Sequence, residues 1–271
     1  MKKKRSGNGA RLGQHFLTGQ WAAQKLAAAT DVHRDETILE IGPGKGALTR
    51  ELLATSARVV AVEKDEVLVE HLKEIFGEEI KTGNLVVVSD DIRNVTPGKL
   101  GLREYVLAAN IPYYITGEII RQFLTAEMQP RAMALLVQKE VADRIIARDG
   151  KESILSLSVK AYGMPRVVAK VSRGNFSPPP SVDSAILLID GISKNFFADC
   201  DEKSFFEVVR AGFSSKRKFL VSNLGVRFGK DLAQATFLSI GINEKMRAED
   251  LGLEQWKLLA QQMSQRTQRT E

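Results

Sequence analysis

Short apolar runs alternate with amphipathic stretches along most of the chain, and this alternation restricts the fold more than any other feature. Helical patterns follow several of the runs, such as "GALTRELLATS" after the first and "EVLVEHLKEIF" after the second. Continuous apolar strands separated by helices predict a mostly parallel, doubly wound sheet. Seven runs are predicted as its strands: 37–41, 58–63, 84–89, 105–110, 132–138, 166–172 and 184–190.

The last two predicted strands have no helix between them. The loop "RGNFSPPPSVD" joins them, so we expect them to pair antiparallel at one edge of the sheet. After residue 190 the strand signal stops, and four helical patterns with Asp or Ser starts and Gly stops follow. We therefore predict a sheet domain over 11–192 and a helical domain over 193–265, with disordered tails at 1–10 and 266–271.

Composition excludes several classes of protein. No apolar run approaches the ~18 residues of a membrane span. One cysteine, Cys200, cannot form an internal disulfide, and three histidines without ligand-like spacing argue against a zinc site, so we expect no metal. The reducing cytoplasm is the expected compartment. The net charge is +6, and residues 1–20 carry five basic side chains and no acid. Basic excess favours a nucleic-acid partner, although an ordinary solvated surface explains it as well.

A glycine-rich turn and two acids follow the first three strands. "LEIGPGKGALT" (39–49) places Gly42, Gly44 and Gly46 where a ligand can lie against bare backbone. The spacing matches neither a P-loop nor the NAD fingerprint. Glu63 ends the second strand, where a carboxylate can accept from ribose hydroxyls, and "SDD" (89–91) ends the third. Each acid alone is as easily a cap or a turn, but together with the loop they indicate a nucleoside-type cofactor site.

The fourth strand ends in "NIPYYIT" (110–116). A Rossmann-like sheet with this motif resembles an S-adenosylmethionine-dependent methyltransferase that acts on an amino nitrogen. The Asn110 side-chain oxygen and a backbone carbonyl beside Pro112 could accept both N–H groups of an adenine amine and align it for transfer. Tyr113 could stack on a base taken out of its helix. An Asn-Pro turn with a core tyrosine remains an alternative, and Tyr114 is expected to pack.

Seven motifs in order resemble the ribosomal RNA adenine N6-dimethyltransferase family, and its small-subunit branch in particular. They cover nearly the whole chain: "QHFL", "LEIGPGKGALT", "VEKD", "DDI", "ANIPYYIT", "FSPPPSVDSAIL" and "FSSKRKFLVSNL". The resemblance implies a Rossmann-like domain with a seven-stranded sheet, followed by a small all-α domain. It also implies S-adenosyl-L-methionine as the cofactor.

The resemblance assigns roles to individual residues. Asn110 and the Ile111 carbonyl next to Pro112 would hold the target amine, and Tyr113 and Phe176 would stack on the base. Asp91, favoured over Asp90, would accept from the cofactor adenine. The residues expected to bind the cofactor are Gln14, His15, Leu17, Gly42, Gly44, Gly46, Glu63, Asp91 and Asn110. Those expected to contact RNA phosphates are Lys216, Arg217 and Lys218, with the basic tail Lys2–Arg5.

The predicted function is dimethylation of N6 of two adjacent adenosines in a 3′-terminal hairpin loop of small-subunit rRNA. The expected partner is that rRNA or a pre-ribosomal particle, and the expected state is a cytoplasmic monomer. Two alternatives stay open at this point. One is a large-subunit rRNA methyltransferase of the macrolide-resistance type, and the other is a non-catalytic RNA-binding assembly factor on the same fold.

Overall fold

A computed structural model describes residues 15–33 and 36–267, with side chains as far as residue 264. Gln14, the basic residues Lys2–Arg5 and the predicted tail 1–10 lie outside the described residues, as does most of the predicted tail 266–271. The last helix continues to Thr267, so the start of that tail is helical.

Seven strands form one sheet in the spatial order β4-β3-β2-β5-β6-β9-β7. Pairing is parallel from β4 to β6 and antiparallel between β6 and β9. The predicted α/β class with a mostly parallel sheet is therefore confirmed, and each strand begins and ends within two residues of its predicted bounds. The strands are β2 (Thr37–Ile41), β3 (Arg58–Glu63), β4 (Leu85–Ser89), β5 (Tyr105–Asn110), β6 (Met133–Gln138), β7 (Met164–Val171) and β9 (Ser184–Asp190).

The register brings the carboxyl ends of the central strands level. Ile41 at the end of β2 pairs with Val62 of β3 on one side and with Ala109 of β5 on the other. The residues that follow, including Glu63 and Asn110, therefore lie at one edge of the sheet. Doubly wound sheets bind their ligands at this edge.

The centre of the sheet is buried because its strands are apolar along their whole length. Val106 and Ala108, two residues apart on β5, point to the same face and join one hydrophobic core with Leu26 and Leu52 from the helices. The helices of this part of the chain are α1 (Gln20–Ala28), α2 (Ala47–Leu53), α3 (Glu66–Ile75), α4 (Gly77–Lys81), α5 (Thr116–Leu124) and α6 (Lys139–Ile145).

Two very short strands form a ribbon that the sequence analysis did not predict. β1 (Phe16–Leu17) pairs antiparallel with β8 (Phe176–Ser177), which brings Leu17 opposite Phe176. The amides of Thr18 and Gly19 extend the ribbon by donating to the Asn175 carbonyl. The ribbon thus ties the start of the described chain to the proline-rich loop that precedes β9.

The chain divides into two compact units. Of the described residues, one unit comprises 15–33, 36–142 and 165–192, and the other comprises 143–164 and 193–267. The second begins at the predicted position after residue 192 but also includes 143–164, which the sequence analysis placed in the sheet domain. Its helices are α7 (Ile154–Lys160), α8 (Glu202–Gly212), α9 (Leu220–Phe228), α10 (Lys230–Ile240) and α11 (Leu253–Thr267).

The second unit has an aromatic core. The fully buried Trp256 of α11 stacks on Phe213 with ring centroids 5.5 Å apart. Gly212 leaves room for this ring, since a Cβ there would lie 2.4 Å from Trp256. One of the four helical patterns predicted after residue 190 is "SKRKFLVSNLG" (215–225), and it is helical only from Leu220. Its first residues turn instead, because the Asn223 side-chain amide donates to the carbonyls of Gly212 and Ser215 and holds the chain there.

No helix among the described residues is both long and apolar enough to cross a membrane.

Candidate active site

A cleft that is open to solvent lies at the carboxyl edge of the sheet. The loop after β2, the ends of β3 and β4, the "NIPYYI" segment and residues 15–17 line it. The structure therefore brings together most of the residues that the sequence analysis assigned to a cofactor and a base.

The three glycines of the loop after β2 all have positive φ but serve different purposes. Nothing lies within 4 Å of a Cβ placed on Gly42, so this backbone faces open space. A Cβ on Gly44 would come within 3.1 Å of the Phe16 ring, and one on Gly46 would lie 2.5 Å from Phe76. Gly42 and Gly44 line the cleft, whereas Gly46 is not among its lining residues and instead allows the loop to pack on Phe76.

Glu63 is buried at the end of β3, and its carboxylate holds the glycine loop. Oε2 accepts from the Gly44 amide at 3.1 Å. Oε1 accepts from the amides of Lys64 and Asp65 at 2.9 and 3.0 Å. The position facing the cleft suits the predicted contact with ribose hydroxyls, but the carboxylate also organises the loop.

Glu40 also lines the cleft, and the sequence analysis assigned it no role. It lies on β2 with 1% of its surface exposed, and neither carboxylate oxygen has a hydrogen-bond partner among the described residues. Burial raises the pKa of its carboxyl from 4.5 to about 8. The Thr49 hydroxyl lies nearby and lowers this pKa somewhat, although it forms no hydrogen bond with Glu40. The negative charge of Glu63 raises the pKa further. The sequence does contain a signal that could have indicated a role for Glu40, namely an acid inside an apolar strand. Such a residue is seldom buried without a partner.

Asp90 and Asp91 both line the cleft at the end of β4, but they differ in their bonds. Asp90 Oδ1 accepts from the Asp91 amide at 2.7 Å. The Asp91 carboxylate binds the Arg93 guanidinium in a forked pair, with Nη2–Oδ2 at 2.6 Å. The side-chain hydrogen bonds of Arg93 lower the pKa of Asp91 to about 2. Arg93 also lines the cleft and was missing from the sequence-based site.

Asn110 is fixed by the ribbon. Its Nδ2 donates to the His15 carbonyl at 3.0 Å, which orients the amide. His15 is itself held by Nδ1, which donates to the Pro178 carbonyl at 2.8 Å. Asn110 Oδ1 accepts no hydrogen bond from the described residues and lies at the cleft, where an acceptor for an amine was expected.

The two tyrosines of "NIPYYIT" have different surroundings. The Tyr113 hydroxyl bonds Ser184 Oγ at 2.8 Å, and its ring lies 5.8 Å from the His15 ring. Burial raises the pKa of this phenol. Tyr114 lines the same cleft but is 61% exposed, so the expectation that it packs is wrong.

Phe176 does not lie where the predicted base sandwich requires it. It is 4% exposed, belongs to the hydrophobic core and is not among the residues that line the cleft. The physical reason is its place in β8, because pairing with Leu17 of β1 turns the ring into the core. In this structure only Tyr113 of the predicted pair has a face at the cleft.

Lys216, Arg217 and Lys218 lie in the turn before α9, in the second unit, and all three are exposed. Their side chains form no ion pair with any described residue. Their charges are therefore available to an anionic partner.

Comparison with known proteins settles the family. The family model described as "Ribosomal RNA adenine dimethylase" matches residues 5–265. The chain belongs to this family. The ribosomal RNA small subunit methyltransferase A of Dehalococcoides mccartyi (strain CBDB1) is 41% identical over 252 residues, 92% of this chain and 86% of that protein. The namesake from Moorella thermoacetica is 37% identical over 256 residues, 90% of this chain and 88% of that protein.

A solved structure from the large-subunit branch is less similar to this chain in sequence. The 23S rRNA methyltransferase ErmE superposes with a TM-score of 0.75 at 25% identity, over 92% of this chain and 99% of that one. The resemblance to an rRNA adenine dimethyltransferase is thus confirmed, and the small-subunit relatives are clearly more similar in sequence than this large-subunit enzyme.

Proposed function

We propose that this protein uses S-adenosyl-L-methionine to dimethylate N6 of two adjacent adenosines in a 3′-terminal hairpin loop of small-subunit rRNA, during ribosome biogenesis. Family membership and the small-subunit relatives support the reaction class and the RNA. The structural observation that carries the proposal is the orientation of Asn110. Its amide is fixed through Nδ2 while Oδ1 stays open to the cleft.

The cleft suits a nucleoside cofactor with a positive charge. Gly42 presents bare backbone, and Glu63 presents a carboxylate for hydroxyl donors. Glu40 is a buried acid that no described residue hydrogen-bonds, which favours a cationic group nearby. When bound, the cofactor would supply an electrophilic methyl group on a cationic sulfur. Gly42, Gly44, Glu63 and the acids after β4 would hold it.

The chain's own groups then act on the target amine. Asn110 Oδ1 and the Ile111 carbonyl, neither of which is used by the described residues, would accept its two N–H bonds. Two acceptors fix the direction of the nitrogen lone pair and favour a tetrahedral nitrogen, so the amine becomes a better nucleophile. Pro112 adds no competing donor. Tyr113, anchored at Ser184, would give the flipped base a flat surface.

Asn110→Ala tests the proposal. We expect the single-turnover methylation rate on a small-subunit rRNA hairpin to fall by about 10²-fold or more, as when one preorganised polar group at a reacting centre is lost. Cofactor affinity by calorimetry should fall much less than the rate, because Asn110 is one of several residues expected to bind the cofactor. Asn84→Ala is the matched control, because Asn84 is exposed and precedes β4 at the opposite edge of the sheet. A wild-type rate in Asn110→Ala would exclude the assigned role.

The choice of RNA is tested with the wild-type protein. Mass mapping of methylated nucleotides should locate dimethyladenosine in small-subunit rRNA and none in large-subunit rRNA. Methylation of the large-subunit transcript alone would replace the proposed substrate, and binding without methylation would favour a non-catalytic assembly factor. We also propose that the protein acts as a cytoplasmic monomer, and a dimer mass in sedimentation would contradict this.

The exposed basic turn of the second unit would contribute to RNA affinity through phosphates. Replacing Lys216 and Arg217 with alanine should reduce the slope of log affinity against log salt by one to two units, because each phosphate contact releases about one counterion. Lys73→Ala, which removes an exposed lysine of α3, is the control for charge loss alone. An unchanged slope in the double variant would show that these residues do not contact the RNA.

A further inference from the structure

Asp91 and Arg93 form a forked ion pair at the cleft. Arg93 Nε donates to Asp91 Oδ1 at 3.0 Å, and Nη2 donates to Oδ2 at 2.6 Å. The Arg93 backbone amide donates to Oδ1 as well, at 3.1 Å. Three donors from one residue therefore fix one carboxylate, although both side chains lie at a surface.

The bonds leave the two oxygens of Asp91 in different states. A carboxylate oxygen has two in-plane acceptor positions. Oδ1 uses both, for Arg93 N and Nε, whereas Oδ2 uses one. One acceptor position of Oδ2 is therefore left for a ligand. Asp90 differs, because its Oδ1 accepts from the Asp91 amide and no basic side chain of the described residues forms an ion pair with it.

We propose that Arg93 is a positioning residue that holds Asp91 with Oδ2 as the acceptor for the amino group of the cofactor's purine. Arg93 thereby makes the cleft select an amino purine over a keto purine. This inference rests on the proposed cofactor and names the residue that sets its base selectivity. It also assigns the contact to Asp91 instead of Asp90.

Selectivity follows from the ionised state of the Asp91 carboxylate. The guanidinium keeps the carboxylate ionised, so Asp91 can accept but cannot donate. An amino group donates to it. A keto oxygen at the same place would face Asp91 Oδ2, and no hydrogen bond can form because both oxygens are acceptors. Without Arg93 the carboxylate can rotate away from an unsuitable ligand or take up another contact, so the discrimination should narrow.

Binding of two ligands to four proteins tests this. The ligands are S-adenosylhomocysteine and the analogue in which a keto oxygen replaces the purine amine. In wild type we expect the amino ligand to bind about tenfold to a hundredfold tighter. In Arg93→Gln the affinity for S-adenosylhomocysteine should fall on the order of tenfold, as for loss of one charged hydrogen bond, and the ratio of its affinity to that of the keto analogue should decrease. Arg93→Lys keeps the positive charge but cannot form the forked pair, so it should recover part of the affinity and part of the ratio. Lys73→Gln, which breaks an exposed ion pair on α3, should change neither.

The remaining variants separate positioning from general damage. If Arg93 acts through Asp91, adding Arg93→Gln to Asp91→Asn should cause no further loss of the amino preference. An additive loss, or amino-ligand binding in Arg93→Gln as tight as in wild type or tighter, would overturn the inference and make Arg93 a bystander or a competitor. Wild-type protein that methylates RNA without preferring the amino ligand would overturn it while leaving the proposed function intact. Wild-type protein that binds neither ligand would remove the proposed cofactor and this inference with it.

Discussion

The ends of β2 and β3 each carry a buried glutamate, and the two carboxyl groups differ in their hydrogen bonding. Glu63 on β3 accepts three backbone hydrogen bonds from the glycine loop and the turn after the strand. Glu40 on β2, one strand away in the same parallel pair, accepts none among the described residues. Equal residue types at nearly equal burial thus differ in what surrounds them.

We interpret this difference as that between a carboxylate that supports the fold and one that would interact with the proposed cofactor. The hydrogen bonds of Glu63 compensate for its burial and hold the loop in place, so this side chain contributes to folding. Glu40 is buried without a hydrogen-bond partner among the described residues, and burial of a polar group without a partner costs free energy. Buried ionisable groups of this kind are concentrated at functional sites, where a bound ligand can provide the missing interaction. We therefore expect Glu63 to support stability and binding together, and Glu40 to lower stability while it favours a cationic ligand.

Glu63→Ala is expected to have the largest combined effect on stability and on binding. The variant leaves three amides without an acceptor, so the free energy of unfolding should fall by about 2–4 kcal/mol and cofactor affinity should fall with it. Urea denaturation and calorimetry measure the two. Glu66→Ala removes an exposed acid three residues further on and should stay within about 0.5 kcal/mol of wild type. Equal stability of both variants would show that Glu63 does not organise the loop.

The next effect is the pH dependence that Glu40 causes. Its pKa is raised to about 8 in the folded protein from 4.5, so between these values the folded state binds the extra proton. Stability should therefore decrease as pH rises from about 4.5 to about 8, by up to ~1.4 kcal/mol per unit from this group. Glu40→Gln should remove that decrease and be more stable than wild type at pH 8. A stability difference between the two proteins that does not vary with pH would contradict this.

The same variant tests the role of Glu40 toward the ligand. A cation next to Glu40 favours its ionised form, so cofactor binding at pH 7 should release up to one proton from wild type. Calorimetry in two buffers of different ionisation enthalpy measures the release, and Glu40→Gln should lose it and bind more weakly. Equal proton release by both proteins would place the cation elsewhere.

The smallest effect concerns Thr49, whose hydroxyl opposes the high pKa of Glu40. Thr49→Val has a similar shape but no dipole, so the pKa of Glu40 should rise further, by less than about one unit. The midpoint of the pH dependence of stability should move upward by that amount. A midpoint that stays in place or moves down would mean that the hydroxyl has no influence on Glu40.

Sequence patterns predicted the sheet well because its strands are buried on both sides, which requires continuous apolar runs. They predicted Glu63 and Asn110 because these residues directly follow such runs. Pairings between distant segments left no local signal. The ribbon of β1 and β8 places Phe176 in the core, and no pattern near Phe176 indicates Leu17 as its partner. Arg93 lies two residues from Asp91, yet its fork depends on a turn geometry that the sequence does not specify.

The helical part shows the same limit. Residues 143–164 have helical periodicity, but their grouping with the second unit depends on long-range contacts. The start of α9 was placed too early, because the Asn223 side chain and not local propensity decides where the turn ends. Tyr114 was expected to pack since its neighbour Tyr113 does, but consecutive residues in a turn can face different ways.

The chain of bonds from Pro178 through His15 to Asn110 has a consequence for how the protein can be handled and altered. The orientation of the amide that would receive the substrate is set by a segment near the beginning of the chain, which is far away in sequence. If Asn110 receives the target amine as proposed, a tag, cleavage or replacement at residues 15–19 would change the rate of methyl transfer even if every residue of β5 stayed the same. Residues 15–19 would then belong to the catalytic geometry as much as β5 does.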